Sequence, residues 1–197
     1  MTTKSNTLKM LSIAFLLGAV SLSFSSCSKD DGDDNVTPEL EVKTVEDLDG
    51  SGGPVFFNLS SEAAVEESAT TWDIKFNGSN FSFGNGAQVQ VVEGIFDNFV
   101  KAPESGYSAE DLAGIGSVYT YTGQAPSGAQ HAVLPTPGRI LVIKTHDNKY
   151  AKIELISYYL GNPDTSSEAF INLETRPQSR VFTFRYVVQP DGTTNLK

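Results

Sequence analysis

Three long apolar runs in the last third of the chain, RILVIKT (139–145), KYAKIELISYYL (149–160) and VFTFRYVV (181–188), constrain the fold more than any other feature. In VFTFRYVV, Phe182, Phe184, Tyr186 and Val188 fall on one side and Thr183 and Arg185 on the other, the period of two of a half-buried strand. RILVIKT is apolar on both faces and reads as an interior strand. KYAKIELISYYL sets Ala151, Ile153 and Leu155 against Lys152, Glu154 and Ile156, and the intervening HDN tolerates turn dihedrals, so 139–160 reads as a hairpin. Shorter strands are expected at 55–59, 72–76, 80–83, 88–92 and 118–121. A short helix is expected from Ser108, where Glu110 and Asp111 fall in the first turn. SSEAAVEES near Ser60 reads as a further turn or helix. The fold class is therefore all-β, mostly antiparallel, with one or two short helices.

The other end of the chain has a different character. Lys4 and Lys9 precede an uncharged apolar run over 11–24, then small residues and Cys27. This is the pattern of a secretory signal, and the run is short of the roughly 20 residues that span a bilayer. Cys27 is the single cysteine, so it has no intrachain disulfide partner. Its place directly after the apolar run is that of the acylated cysteine of bacterial lipoproteins, which predicts a signal peptide over 1–26 and a lipid anchor at Cys27. Residues 28–49 hold nine acids against Lys29 and Lys43, too polar to offset the entropy of ordering, so 27–50 reads as the acylated cysteine and an acidic tether. The segment CSKDDGDD also resembles the export signal that sends some lipoproteins to the outer leaflet of the outer membrane, where the chain would lie at the cell surface. The folded part is then 51–197, a single domain without internal repeats.

Charge narrows the partners. Loss of 1–26 removes two lysines and no acid, which takes the formal charge from −10 to −12; such a surface repels phosphate backbones and argues against nucleic acid as a partner. Enzyme chemistry is also poorly supplied. The chain has two histidines, neither in a recognisable nucleophile context, and no phosphate-binding fingerprint. It has neither a cysteine cluster nor an H-x-x-x-H pair for zinc, and DDGDD lacks the spacing of a calcium loop.

Three phrases, TWDIKFNGSN from Thr71, HAVLPTPGRILVIKTHDNKYAKIELISYYLG from His131 and FTFRYVVQPDGTTNL from Phe182, together resemble the HmuY family of secreted haem-binding lipoproteins. The resemblance covers most of the domain and rests on structural motifs. It implies a palm of strands with hairpin fingers that grip haem near the surface and pass it to an outer-membrane haem transporter, in the service of iron acquisition. It also implies ligation by two histidines, as in the founding member, or by methionine, as in some relatives. Met1 and Met10 both lie in the signal segment, so thioether ligation is excluded in the mature chain.

Haem iron otherwise accepts His, Cys or Tyr. His131 leads, because it follows the glycine-rich approach YTGQAPSGAQH and precedes the proline-flanked entry to the central strand. His146 sits beside Asp147 at the tip of the expected hairpin, where a solvated turn residue is the ordinary reading. The six residues from Arg139 to Lys144, extended, would hold the two histidines about 20 Å apart, which argues against a coordinating pair. Tyr121, with Tyr119 on the same face of its strand, is a candidate phenolate or stacking partner, although strand aromatics usually belong to the core. Arg139 and Lys144 are candidates for the haem propionates; Trp72 and Phe76 read as packing. The alternative is a surface lipoprotein on the same scaffold that takes another ligand or a protein partner without haem.

Overall fold

The computed structural model describes residues 40–197; the signal segment, Cys27 and the first part of the tether lie outside them. Two antiparallel five-stranded sheets carry the fold. The first runs in the order β1 (Lys43–Asp49), β12 (Ser179–Gln189), β11 (Tyr150–Tyr159), β10 (Arg139–Lys144), β6 (Gln88–Glu93). The second runs β3 (Ala63–Val65), β2 (Val55–Asn58), β4 (Ile74–Asn77), β5 (Asn80–Phe83), β7 (Leu112–Ala113). A two-stranded hairpin, β8 (Tyr119–Tyr121) with β9 (Val133–Pro135), forms a third ladder separate from both. Among the described residues no helix is long and apolar enough to cross a membrane.

The sheets meet through aromatic rings. Phe57 and Phe76 of the second sheet pack on Phe184 of the first, with centroids 5.5 and 5.3 Å apart, and Ile74, Leu141, Ile153 and Phe182 complete a water-free layer. Burial of each such side chain stabilises the fold by about 1.5–3 kcal/mol. The alternation read in β12 is present, but its other side is not solvated. Thr183 is buried, and Arg185 is held by Glu154 at 2.6 Å and by Asp97 at 3.1 Å. A 3-10 turn, Phe96–Asn98, and the C-terminal residues lie over that outer face, where Ala102, Ile140, Val142 and Leu196 form a second apolar cluster. This is why RILVIKT has no polar side.

Two expectations fail on local grounds. The helix expected from Ser108 is absent: Ser108 pairs with Val89 and its hydroxyl accepts the Glu110 N–H, while Leu112–Ala113 extends the edge of the second sheet beside β5. The Ser108 N–H and carbonyl are both taken by Val89 of β6, at 2.9 and 2.8 Å, so neither is free to start a helical turn. The α-helix lies instead at Glu168–Ile171, capped by the Ser167 side chain on the Phe170 N–H. The run near Ser60 is a turn followed by strand β3. The folded region also starts earlier than residue 51. β1 hydrogen-bonds along β12, and an irregularity between Val45 and Leu48 lets both pack on the core, so these two apolar residues outweigh the acids between them.

Buried phenols give the fold an alkaline limit. Tyr119 and Tyr186 are fully buried, and their hydroxyls have no hydrogen-bond partner among the described residues. Desolvation pushes Tyr186 and Tyr107 up to about 12 and raises Tyr119 as well. An unfolded tyrosine ionises near 10, so between about pH 10 and 12 the unfolded chain sheds protons that the folded chain keeps. Stability is whole below that window and falls through it as pH rises. The expected result is a urea midpoint that drops from about pH 10 upward, with a shallower drop in Tyr186→Phe; a midpoint indifferent to alkali would contradict it.

Candidate functional site

The β8–β9 hairpin brings two of the sequence candidates together. Its register pairs Tyr119 with Pro135, Thr120 with Leu134 and Tyr121 with Val133. At its root Tyr119 is fully buried, stacked on Phe81 at 5.8 Å and edge-on to Tyr158 at 5.5 Å. The Gly114 carbonyl accepts the N–H groups of Val118 and Tyr119, which turns the chain into β8. A Cβ at Gly114 would lie 1.9 Å from the Ser79 carbonyl oxygen, so only glycine fits. On the far strand the Val133 N–H donates to the Tyr159 hydroxyl at 3.0 Å.

Beyond the paired residues the loop is stapled by Thr122, whose hydroxyl donates to Ala129 O at 2.7 Å and accepts from Ala132 N at 2.9 Å. The His131 N–H reaches Gly123 O at 2.7 Å, and His131 itself adopts a left-handed φ of 51°, a conformation that few residues besides Gly, Asn, Asp and His enter. That geometry turns the imidazole toward Tyr121. The Tyr121 Oη and His131 Nδ1 share a hydrogen bond of 2.7 Å, with ring centroids 6.0 Å apart. Both residues are exposed, Tyr121 by 48%. A phenol and an imidazole held against each other at the surface form a donor set able to ligate iron from outside the core.

The other candidates are placed elsewhere. His146 is not a solvated turn residue. Its ring Nδ1 and backbone N–H both donate to Asp73 Oδ1, at 2.7 and 2.8 Å, while Asp73 Oδ2 accepts the Leu59 N–H at 2.9 Å. Asp73 is fully buried, so this histidine clasps the β10–β11 turn to the second sheet. Ligand atoms of Asp73, His146 and Asp147 lie within 4.8 Å of one another, but Asp147 is already bound by Thr145 at 2.6 Å and Lys149 at 2.7 Å. Arg139 is paired with Glu93 across β10 and β6 at 2.8 Å, and Lys144 ends the same strand, half-buried. Tyr158 and Tyr159 are core residues, and Trp72 packs edge-on to Phe56 at 5.1 Å.

Arg176 braces the far strand of the hairpin through two aromatic rings. Its guanidinium lies 4.8 Å from the Phe170 ring and its Nε donates to Phe170 O at 2.8 Å; Phe170 in turn packs on Tyr159 at 4.8 Å, the residue that holds β9. The exposed apolar residues Leu160, Ile171 and Leu173 belong to the same segment. The available signal was Ser167 followed by Glu168, a capping pattern that would have located the helix. An open cleft of about 510 Å³ lies between this hairpin and β11, lined by Thr120, Leu134, Thr136, Pro137, Leu155 and Ile156. Since neighbours on a strand point to opposite faces, the Thr120 cleft and the Tyr121 ring lie on opposite sides of the hairpin.

No family model and no curated protein matches the chain. The solved structure of apo PinO from Porphyromonas gingivitis matches at TM-score 0.51 and 12% identity, over 75% of this chain and 97% of that one. The apo HmuY analog of Tannerella forsythia matches at TM-score 0.48 and 14% identity, over 80% of this chain and 100% of that one. The chain shares the fold of PinO, and the β architecture implied by the HmuY resemblance is the one found.

Proposed function

We propose that this protein is a cell-surface lipoprotein, anchored in the outer membrane through Cys27, that binds haem at the β8–β9 hairpin and passes it to an outer-membrane uptake system. The observation that carries the reading is the exposed Tyr121–His131 pair at 2.7 Å, on a hairpin rooted in the core by Tyr119. Tyr121 and His131 offer the iron a donor atom, and the Tyr121 ring offers the macrocycle an apolar face. The role is binding and release, not catalysis.

The test is a titration of the full-length chain in detergent with ferric haem, followed by its visible spectrum. A saturable Soret shift is expected, weakened in His131→Asn. Asparagine is the chosen replacement because it tolerates the left-handed backbone at 131, so a loss reports the imidazole rather than the turn. His146→Ala should titrate like the unaltered protein. A spectrum equal to that of haem in detergent alone would sink the reading and leave a tethered scaffold for another ligand.

A further inference from the structure

We infer that the iron-facing atom of this site is the Tyr121 oxygen, as phenolate, with His131 as its positioning residue, so that the hairpin takes ferric in preference to ferrous porphyrin. The inference rests on the haem reading above and asks which of the two rings touches the metal.

The surroundings of the tyrosines single out one phenol. Of the seven in the chain, Tyr119 and Tyr186 have buried, unpartnered hydroxyls, and Tyr107 donates to the Pro103 carbonyl. The Tyr159 hydroxyl accepts from Val133, and Tyr158 is buried beside Arg180. Tyr150 packs on Tyr107. Tyr121 alone has its oxygen against a side-chain base. A phenol becomes a ligand by losing its proton, and the His131 Nδ1, 2.7 Å away, is placed to take it. The O–H bond breaks, the proton passes to Nδ1, and the oxygen pair is given to iron; the new imidazolium N–H then donates back to the phenolate. No electron is transferred and no other reactant is needed.

Backbone placement points the same way. Tyr121 belongs to the ladder, opposite Val133, whose N–H is fixed by Tyr159. His131 stands off the ladder in a left-handed turn. Ligands on strands are held more closely than those on loops, while a loop residue serves well to orient its neighbour. The anionic oxygen of Tyr121 offsets the extra positive charge of ferric porphyrin and has nothing equivalent to offset once the iron is reduced.

The experiment uses the full-length chain loaded with ferric haem, with visible and electron paramagnetic resonance spectra of the unaltered protein, Tyr121→Phe and His131→Asn, before and after dithionite. The unaltered protein is expected to give a high-spin ferric signal with a phenolate charge-transfer band and to release haem on reduction. Tyr121→Phe should lose the band. His131→Asn should keep it while binding about 10- to 100-fold more weakly, the range for an outer-shell partner. A Tyr121→Phe spectrum identical to that of the unaltered protein overturns the inference alone. So does a low-spin signal that survives reduction and disappears in His131→Asn. Absence of any saturable spectrum overturns the inference together with the haem reading.

Discussion

Asp73→Ala is expected to destabilise the protein by about 3–5 kcal/mol in urea denaturation, a large share of the stability of a domain this size. Three N–H donors converge on that carboxylate: Leu59 N, His146 N and His146 Nδ1. Two of them are backbone groups that no conformational change of a side chain can remove. Each donor left buried without an acceptor costs about 1–3 kcal/mol. Asp73→Asn keeps one acceptor oxygen but turns an amide N–H toward one of the donors, so its cost should be intermediate. His146→Ala loses one bond and leaves both backbone donors satisfied, so it should cost least. If His146→Ala proved as damaging as Asp73→Ala, the clasp would belong to the imidazole rather than to the carboxylate.

Lys152→Met should cost about 2–3 kcal/mol while preserving the side chain's length and apolar stem. Lys152 is 3% exposed, on the face of β11 opposite Ala151, Ile153 and Leu155. Its Nζ donates to Phe96 O at 2.8 Å and Phe99 O at 2.9 Å, and stands 4.5 Å over the Phe96 ring. Burial holds its ammonium below the ordinary lysine range, against the pull of Asp97. The substitution leaves the carbonyls at both ends of the 3-10 turn short of a donor and removes the cation from the ring. Hydrogen exchange should show the 96–99 segment opening first. Equal protection there in both proteins would mean that Arg185, stacked on the same ring at 4.4 Å, holds the turn unaided.

These two residues mark where the sequence was legible and where it was not. Strand positions followed from period-two alternation or from a short apolar run, because those patterns are local: 139–145, 149–160 and 181–188 each coincide with a strand of the first sheet to within a few residues at either end. Which face of those strands is wet is not a local property. Lys152 and Thr183 read as solvent-facing until residues more than fifty positions away are brought over them. The candidate site divides in the same manner. Tyr121 and His131 were both visible as donors, but their pairing depends on a register and a left-handed turn that no composition displays. His146 looked solvated because its partner, Asp73, lies seventy-three positions earlier in the chain.

The first strand has a consequence for how copies of this protein meet. β12 is an eleven-residue strand covered on both faces, and from Val181 to Tyr186 its one free edge is occupied by β1. A chain trimmed at residue 51, where the acidic run suggests the domain begins, would bare that edge as a template for the next molecule, and stacking into aggregates would follow. Glu46, Asp47 and Asp49 then take on a second meaning. Carried on the outermost strand, they make the sheet's border repel its own kind, so the acids that made the segment look like a leash also keep crowded neighbours apart.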